Sequence, residues 1–217
     1  MLLLMAWLLA GCASTPARLR HDALPYDAWY LGFSAPPYME AWVETADVED
    51  VRGRVFQRAG AGTASLGHAG DAEDWNGMPG GLGRHVTGAD LPRRIHVRWQ
   101  SLVEPQTYTV TLEIPAHARE LMLTRVSSSV DPAYRNWRKA IAIGLAPGGM
   151  VKVWVTGPVG QPVEVLCQQA KVEPKGPSQG LTGGRYAYSL EKLEPETQQY
   201  LKMHPIPYDA WKCPGIP

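Results

Sequence analysis

The sequence predicts a mainly β, α+β fold: one antiparallel, sandwich-like domain with two or three short helices. Three observations carry this expectation. Short stretches alternate apolar and polar residues, most clearly Thr107-Tyr-Thr-Val-Thr-Leu-Glu-Ile114, where Tyr108, Val110, Leu112 and Ile114 share a side. The 22 glycines and 19 prolines break the chain often enough for closely spaced turns. Eight Trp and nine Tyr stand against two Phe, and rings with a polar edge suit half-buried strand faces or a binding surface. Strands with one polar side are what an antiparallel sheet with one wet face requires.

Taken in order, Ala28–Ser34 reads as a strand stopped by Ala35-Pro36-Pro37. A second strand is expected over Tyr38–Thr45, a turn at Asp47–Asp50, and a third strand over Val51–Gln57 with a bulge at Gly53. Ala59–Gly83 carries eight glycines and little periodicity, so it reads as one long loop. His96–Leu102 and Thr107–Ile114 form a hairpin through Val103–Gln106. Pro115 opens a short helix over Ala116–Thr124, and Tyr134–Ile143 also has helical character. Ala146–Gly149 is a turn between that segment and the strand Met150–Thr156, which pairs with Pro162–Val172. A Gly-rich loop over 174–184 leads to a helix over Ser189–Met203 with Ser189 as N-cap. Pro25-Tyr-Asp-Ala-Trp29 recurs as Pro207-Tyr-Asp-Ala-Trp211, which predicts the same Asp-centred turn in both copies, with Tyr and Trp packing on one surface where the ends of the domain meet.

The N-terminus carries the sharpest chemistry. Residues 1–11 are apolar and uncharged, far short of the roughly 20 residues that cross a bilayer. A short apolar run ending in small residues has the form of a signal peptide. The run ends in Leu9-Ala10-Gly11-Cys12, which resembles the bacterial lipobox at all four positions. Signal peptides open with Lys or Arg, and none precedes Arg18, so the translation start is expected upstream. The competing reading is a buried N-terminal element with an incidental cysteine. Lipidation of Cys12 divides the chain into a signal peptide (1–11), a lipidated tether (12–24) and one β-rich domain (25–217). Ala13 follows the cysteine where Asp would favour the inner membrane, so the expected location is the periplasmic face of the outer membrane. Cys167 and Cys213 remain, a candidate disulfide in an oxidising compartment; the alternative is a buried free thiol and a cysteine in a frayed tail.

Composition excludes some functions. The charges balance, 21 against 21, which gives no electrostatic case for nucleic acid or for anionic lipid. The six histidines form no HxxxH or HExxH pair, no Gly-x-Ser-x-Gly elbow exists, and no glycine cluster has the setting for phosphate. The acidic stretches Asp71–Gly77 and Asp47–Asp50 read as solvated turns rather than calcium loops. No catalytic residue, cofactor or metal is therefore expected.

Tyr26–Gly32, Glu44–Asp50, His96–Tyr108 and Ile143–Trp154 together resemble the DUF2931 family, proteobacterial proteins of unknown function that include many lipoproteins. The resemblance implies a lipoprotein and supplies no catalytic residues. Three functions follow from these readings. The first is a non-catalytic, membrane-anchored binding or envelope-structural protein with a protein partner. The second is an immunity lipoprotein that neutralises a periplasm-acting toxin such as a phospholipase, with 59–83 as its contact. The third is a hydrolase with an unrecognised site, which needs a concave pocket of convergent polar groups.

Overall fold

A computed structural model describes residues 24–75 and 82–215. The domain is β-rich, two five-stranded sheets packed face to face with a small hairpin and two helices outside them. The first sheet has the order β11-β10-β9-β1-β4. Its strands are β1 (Ala28–Ser34), β4 (Leu82–Thr87), β9 (Ala140–Ala146), β10 (Met150–Thr156) and β11 (Val163–Gln169). The second has the order β12-β6-β5-β2-β3. It is built from β2 (Ala41–Asp50), β3 (Val55–Ala64), β5 (Pro92–Ser101), β6 (Gln106–Glu113) and β12 (Lys171–Val172). β7 (Arg125–Ser127) and β8 (Arg135–Trp137) form the separate hairpin. All pairings are antiparallel except β1 with β9, which is parallel.

The alternation that predicted strands also builds the core. Trp29, Leu31 and Phe33 of β1, Ile141, Ile143 and Leu145 of β9, and Val151, Val153 and Val155 of β10 point inward from the first sheet. They meet Val43, Ala46 and Val48 of β2, Ile95, Val97 and Trp99 of β5, and Tyr108, Val110 and Leu112 of β6. Each buried Val, Leu, Ile or Phe among them stabilises the fold by about 1.5–3 kcal/mol relative to full exposure.

Several boundaries differ from the sequence reading. β2 starts at Ala41, because Tyr38 has φ 63°, and it runs through Asp47–Asp50, which are strand and not turn. The turn follows at 51–54, with Gly53 at φ 76° within it rather than in a strand bulge. Asp50 explains the shift. Its buried carboxylate accepts the main-chain N–H groups of Arg52 (2.9 Å), Arg54 (3.0 Å) and Asp90 (3.0 Å), and Arg54 Nε at 2.8 Å. Burial alone would raise its pKa, but these four donors outweigh it and hold the carboxyl below its ordinary value.

The 59–83 segment is not one loop: β3 reaches Ala64 and β4 begins at Leu82. Gly60, Gly62 and Gly83 belong to close packing. A Cβ on Gly60 would lie 2.5 Å from the Phe33 ring, so the strand needs glycine there. Tyr134–Ile143 is not helical but forms β8 and β9. In β9 the isoleucines face the core while Ala140, Ala142 and Gly144 form a small-residue outer face. Trp75 lies on Gly144, where a Cβ would approach its Nε1 to 2.3 Å. Helix α1 (Ala116–Met122) follows Pro115, its N-cap. The second helix is shorter than expected. Residues 190–192 form a 3₁₀ turn after Ser189, whose side chain caps nothing, and α2 spans Pro195–Met203. The two Pro-Tyr-Asp-Ala-Trp copies also differ: the first runs into β1, the second is a 3₁₀ turn over Tyr208–Trp211. They share only a fully buried Trp whose indole N–H donates to a carbonyl, Trp29 to Asp90 O and Trp211 to Ala72 O, each at 3.1 Å, and the two rings lie in separate apolar clusters rather than on one surface.

The strand directions give the sandwich two distinct ends. At one end lie Leu24, the 51–54 and 88–91 turns, α1 and the β7–β8 hairpin. At the other lie the β5–β6 turn, the 147–149 turn and the chain from Glu173 to Gly215. A second apolar cluster closes that far end, with Met39, Leu102, Val103, Met150, Leu193 and Trp211 at its centre.

Candidate functional site

The far end carries the most developed surface feature. Its base is the outer face of the second sheet, where Trp42 of β2 pairs with Gln100 of β5. Between Val43 and Thr45 the β2–β5 register shifts, and this bulge re-aims Glu44. Arg98 Nε donates to Glu44 Oε2 at 2.5 Å, and Gln100 Nε2 to Glu44 Oε1 at 2.7 Å. The segment 177–189 is then laid across this face by main-chain bonds. Ser178 N–H donates to Glu44 Oε1 at 2.6 Å, and Ala187 N–H to Gln100 Oε1 at 2.7 Å. Ser178 and Gln179 adopt φ near 50°, a left-handed conformation strained for non-glycine residues and maintained here by these bonds.

Two adjoining cavities, about 470 and 420 Å³, open along this segment and share Arg185, Tyr186 and Ala187. Tyr188 meets Trp42 edge-to-face at 6.0 Å, and Pro105 closes one side. Tyr, Trp and Arg are the residues that concentrate binding energy at protein interfaces. An open groove walled by them favours a surface ligand with apolar and flat groups.

The groove wall is fastened at several points. Cys167 of β11 is disulfide-bonded to Cys213, fixing the C-terminal segment to the first sheet. Tyr208 Oη donates to Glu104 Oε2 at 3.1 Å, and Glu104 also accepts Gly148 N–H. Tyr200 of α2 stacks on Tyr38 with centroids 4.4 Å apart. Thr197 Oγ1 donates to Glu40 Oε1 at 2.7 Å, and Glu40 is fully buried. Burial raises the Glu40 pKa, the Thr197 and Gly67 hydrogen bonds oppose this, and Glu194 reinforces the rise. Glu40 is sealed under α2 and does not line the groove, so it has no geometry for acting on a bound molecule.

The residues singled out in the sequence distribute as follows. Cys12 lies outside the described residues. Asp71 serves a turn and Asp47 the irregular β2–β3 pairing: Asp71 Oδ1 accepts Glu73 N–H at 3.0 Å and Asp47 Oδ1 accepts Arg58 N–H at 2.7 Å. Asn76 and Gly77 of the same acidic stretch lie outside the described residues. Among the described residues no three His, Cys, Asp or Glu side chains gather as metal ligands, and no helix is long and apolar enough to cross a membrane. Sequence reasoning did not find Glu44, Gln100, Tyr186 or Tyr188. The register shift that re-aims Glu44 leaves no local sign, and residues 177–189 follow no strand or helix period.

The model of one protein family, described as a protein of unknown function (DUF2931), matches residues 14–209. The chain belongs to that family. The match takes in both sheets, both helices and the groove wall through Asp209. Neither the curated proteins nor the solved structures give a match.

Proposed function

We propose that this DUF2931 protein is a lipid-anchored, non-catalytic envelope protein that presents its aromatic groove to a protein partner. The reading rests on one observation: the groove lies at the end of the sandwich opposite Leu24, where the tether joins the domain. A chain held by lipid on Cys12 projects Trp42, Tyr186 and Tyr188 away from the bilayer, at the periplasmic face of the outer membrane. Several acyl chains on one cysteine supply the stable attachment that a single chain lacks. The groove's wall is secured by a disulfide and by bonds to Glu44 and Gln100, so little ordering entropy is lost when a partner binds.

A photo-crosslinker at exposed Ala187 tests this reading in intact cells. The expected result is one discrete adduct that disappears with Tyr186→Ala and is absent when the crosslinker replaces Val172. Equal labelling from both positions, or none from Ala187, contradicts the groove as the binding surface.

A further inference from the structure

The end of the sandwich where the chain enters carries its own exposed feature, the β7–β8 hairpin. Residues 125–139 contain Arg125, Arg135, Arg138 and Lys139 against one acid, Asp131. Among the described residues none of these four cations takes part in a salt bridge. The register Arg125↔Trp137 and Ser127↔Arg135 places both arginines and Trp137 on one side of the ribbon. Val126 faces the other way, within reach of Gly160. The Arg125 guanidinium lies 4.8 Å from the Trp137 ring centroid.

The tip is apolar and ordered by its own bonds. Val130 is 93% exposed and Tyr134 49% exposed. Ser128 Oγ accepts the N–H groups of Val130 and Asp131, and Asp131 Oδ1 accepts Ala133 N–H, so the single acid is engaged in its turn. Exposed Val and Tyr beside arginines is the residue mixture of a membrane interface.

The position of the hairpin relative to the tether decides its partner. Tyr26, two residues after the first described residue, meets Trp137 edge-to-face at 6.3 Å and donates to Met122 O at 3.2 Å. The chain thus joins the domain beside the cationic side of the hairpin. Twelve residues separate Leu24 from Cys12, a reach of at most about 40 Å. A lipid on Cys12 would keep the hairpin within that distance of the bilayer, so a weak surface affinity suffices.

We infer that the β7–β8 hairpin docks on an anionic phospholipid surface, Val130 and Tyr134 entering the headgroup layer and Arg125 and Arg135 meeting lipid phosphates. The inference rests on the lipid anchor proposed above. Each cation near an anionic bilayer shifts the docked-to-free ratio by roughly five-fold. The groove at the far end is then held facing outward.

The test uses the full acylated chain, purified from membranes and reconstituted on vesicles of phosphatidylethanolamine with phosphatidylglycerol, or of phosphatidylcholine alone. Flotation reads the anchor, and hydrogen exchange at residues 126–137 reads the hairpin. The expected result is flotation on both vesicles, with hairpin exchange slowed about five-fold or more only on the anionic ones. The slowing is reversed by 0.5 M salt and lost in Val130→Asp/Arg135→Gln, while Leu181→Asp at the far end keeps it. Flotation on both vesicles with identical exchange overturns the hairpin inference and leaves the anchor standing. Flotation on anionic vesicles alone, abolished by Val130→Asp/Arg135→Gln, supports the hairpin and overturns the anchor. No flotation on either overturns both.

Discussion

Glu40 is a carboxyl with no exposed surface, held by Thr197 of α2 and the Gly67 main chain while its Oε2 has no partner among the described residues. Its folded pKa is raised above the ordinary value of 4.5. Its contribution to stability is therefore full below that ordinary value and is lost as pH rises through the folded one. Glu40→Gln keeps an acceptor for Thr197 and Gly67 but cannot ionise. Melting followed by circular dichroism at pH 5 and pH 8 should show the variant gaining on the wild type as pH rises. A constant difference between the two pH values contradicts a raised Glu40 pKa. Asp50 is equally buried and has the opposite fate, because four donors meet its carboxylate. Donors, rather than depth, decide whether a buried acid keeps its charge.

At the scale of elements, periodicity exposed the strands that face water on one side and concealed the others. β5 and β6 alternate, and both were legible. β9 is buried on both faces, so its Ala-Ile-Ala-Ile run lacks a polar phase and resembles a helix in composition. The second half of β3 looked like a loop because Gly60 and Gly62 admit the Phe33 ring and the Leu82 side chain, a requirement set by residues distant in sequence. The turn after β2 was misplaced for a similar reason: Asp50 acts as an acceptor hub with Asp90, forty residues on. The groove was invisible because it is made by an irregular segment and a bulge. The cysteine pair was legible as a candidate, and the structure bonds it. Cys213→Ser removes that staple from the segment carrying the groove wall. Its expected cost is about 2–4 kcal/mol, or roughly 5–15 °C in Tm for a chain of this size. Faster hydrogen exchange over 177–189 should accompany it, and unchanged exchange there would show that Glu44 and Gln100 suffice to hold the wall.

For the whole molecule, the two proposed contacts fall at opposite ends of the sandwich. One end receives the chain at Leu24 and bears the basic hairpin, with Val51, Val55 and Leu123 also exposed there. The other bears the groove, braced by the second apolar cluster. The balanced charge of the whole chain concealed this division, since cations concentrated in one hairpin cancel against acids elsewhere. The fold class was read from local pattern; the polarity of the molecule required knowing which strand ends lie together. Cys12 carries the proposed attachment to the membrane. Separation of soluble periplasm from membranes, in cells carrying the wild type or Cys12→Ala, tests it most directly. The wild type should sediment with outer membranes and the variant should move to the soluble fraction, whereas a Cys12→Ala chain that stays with the membrane would contradict the lipid anchor.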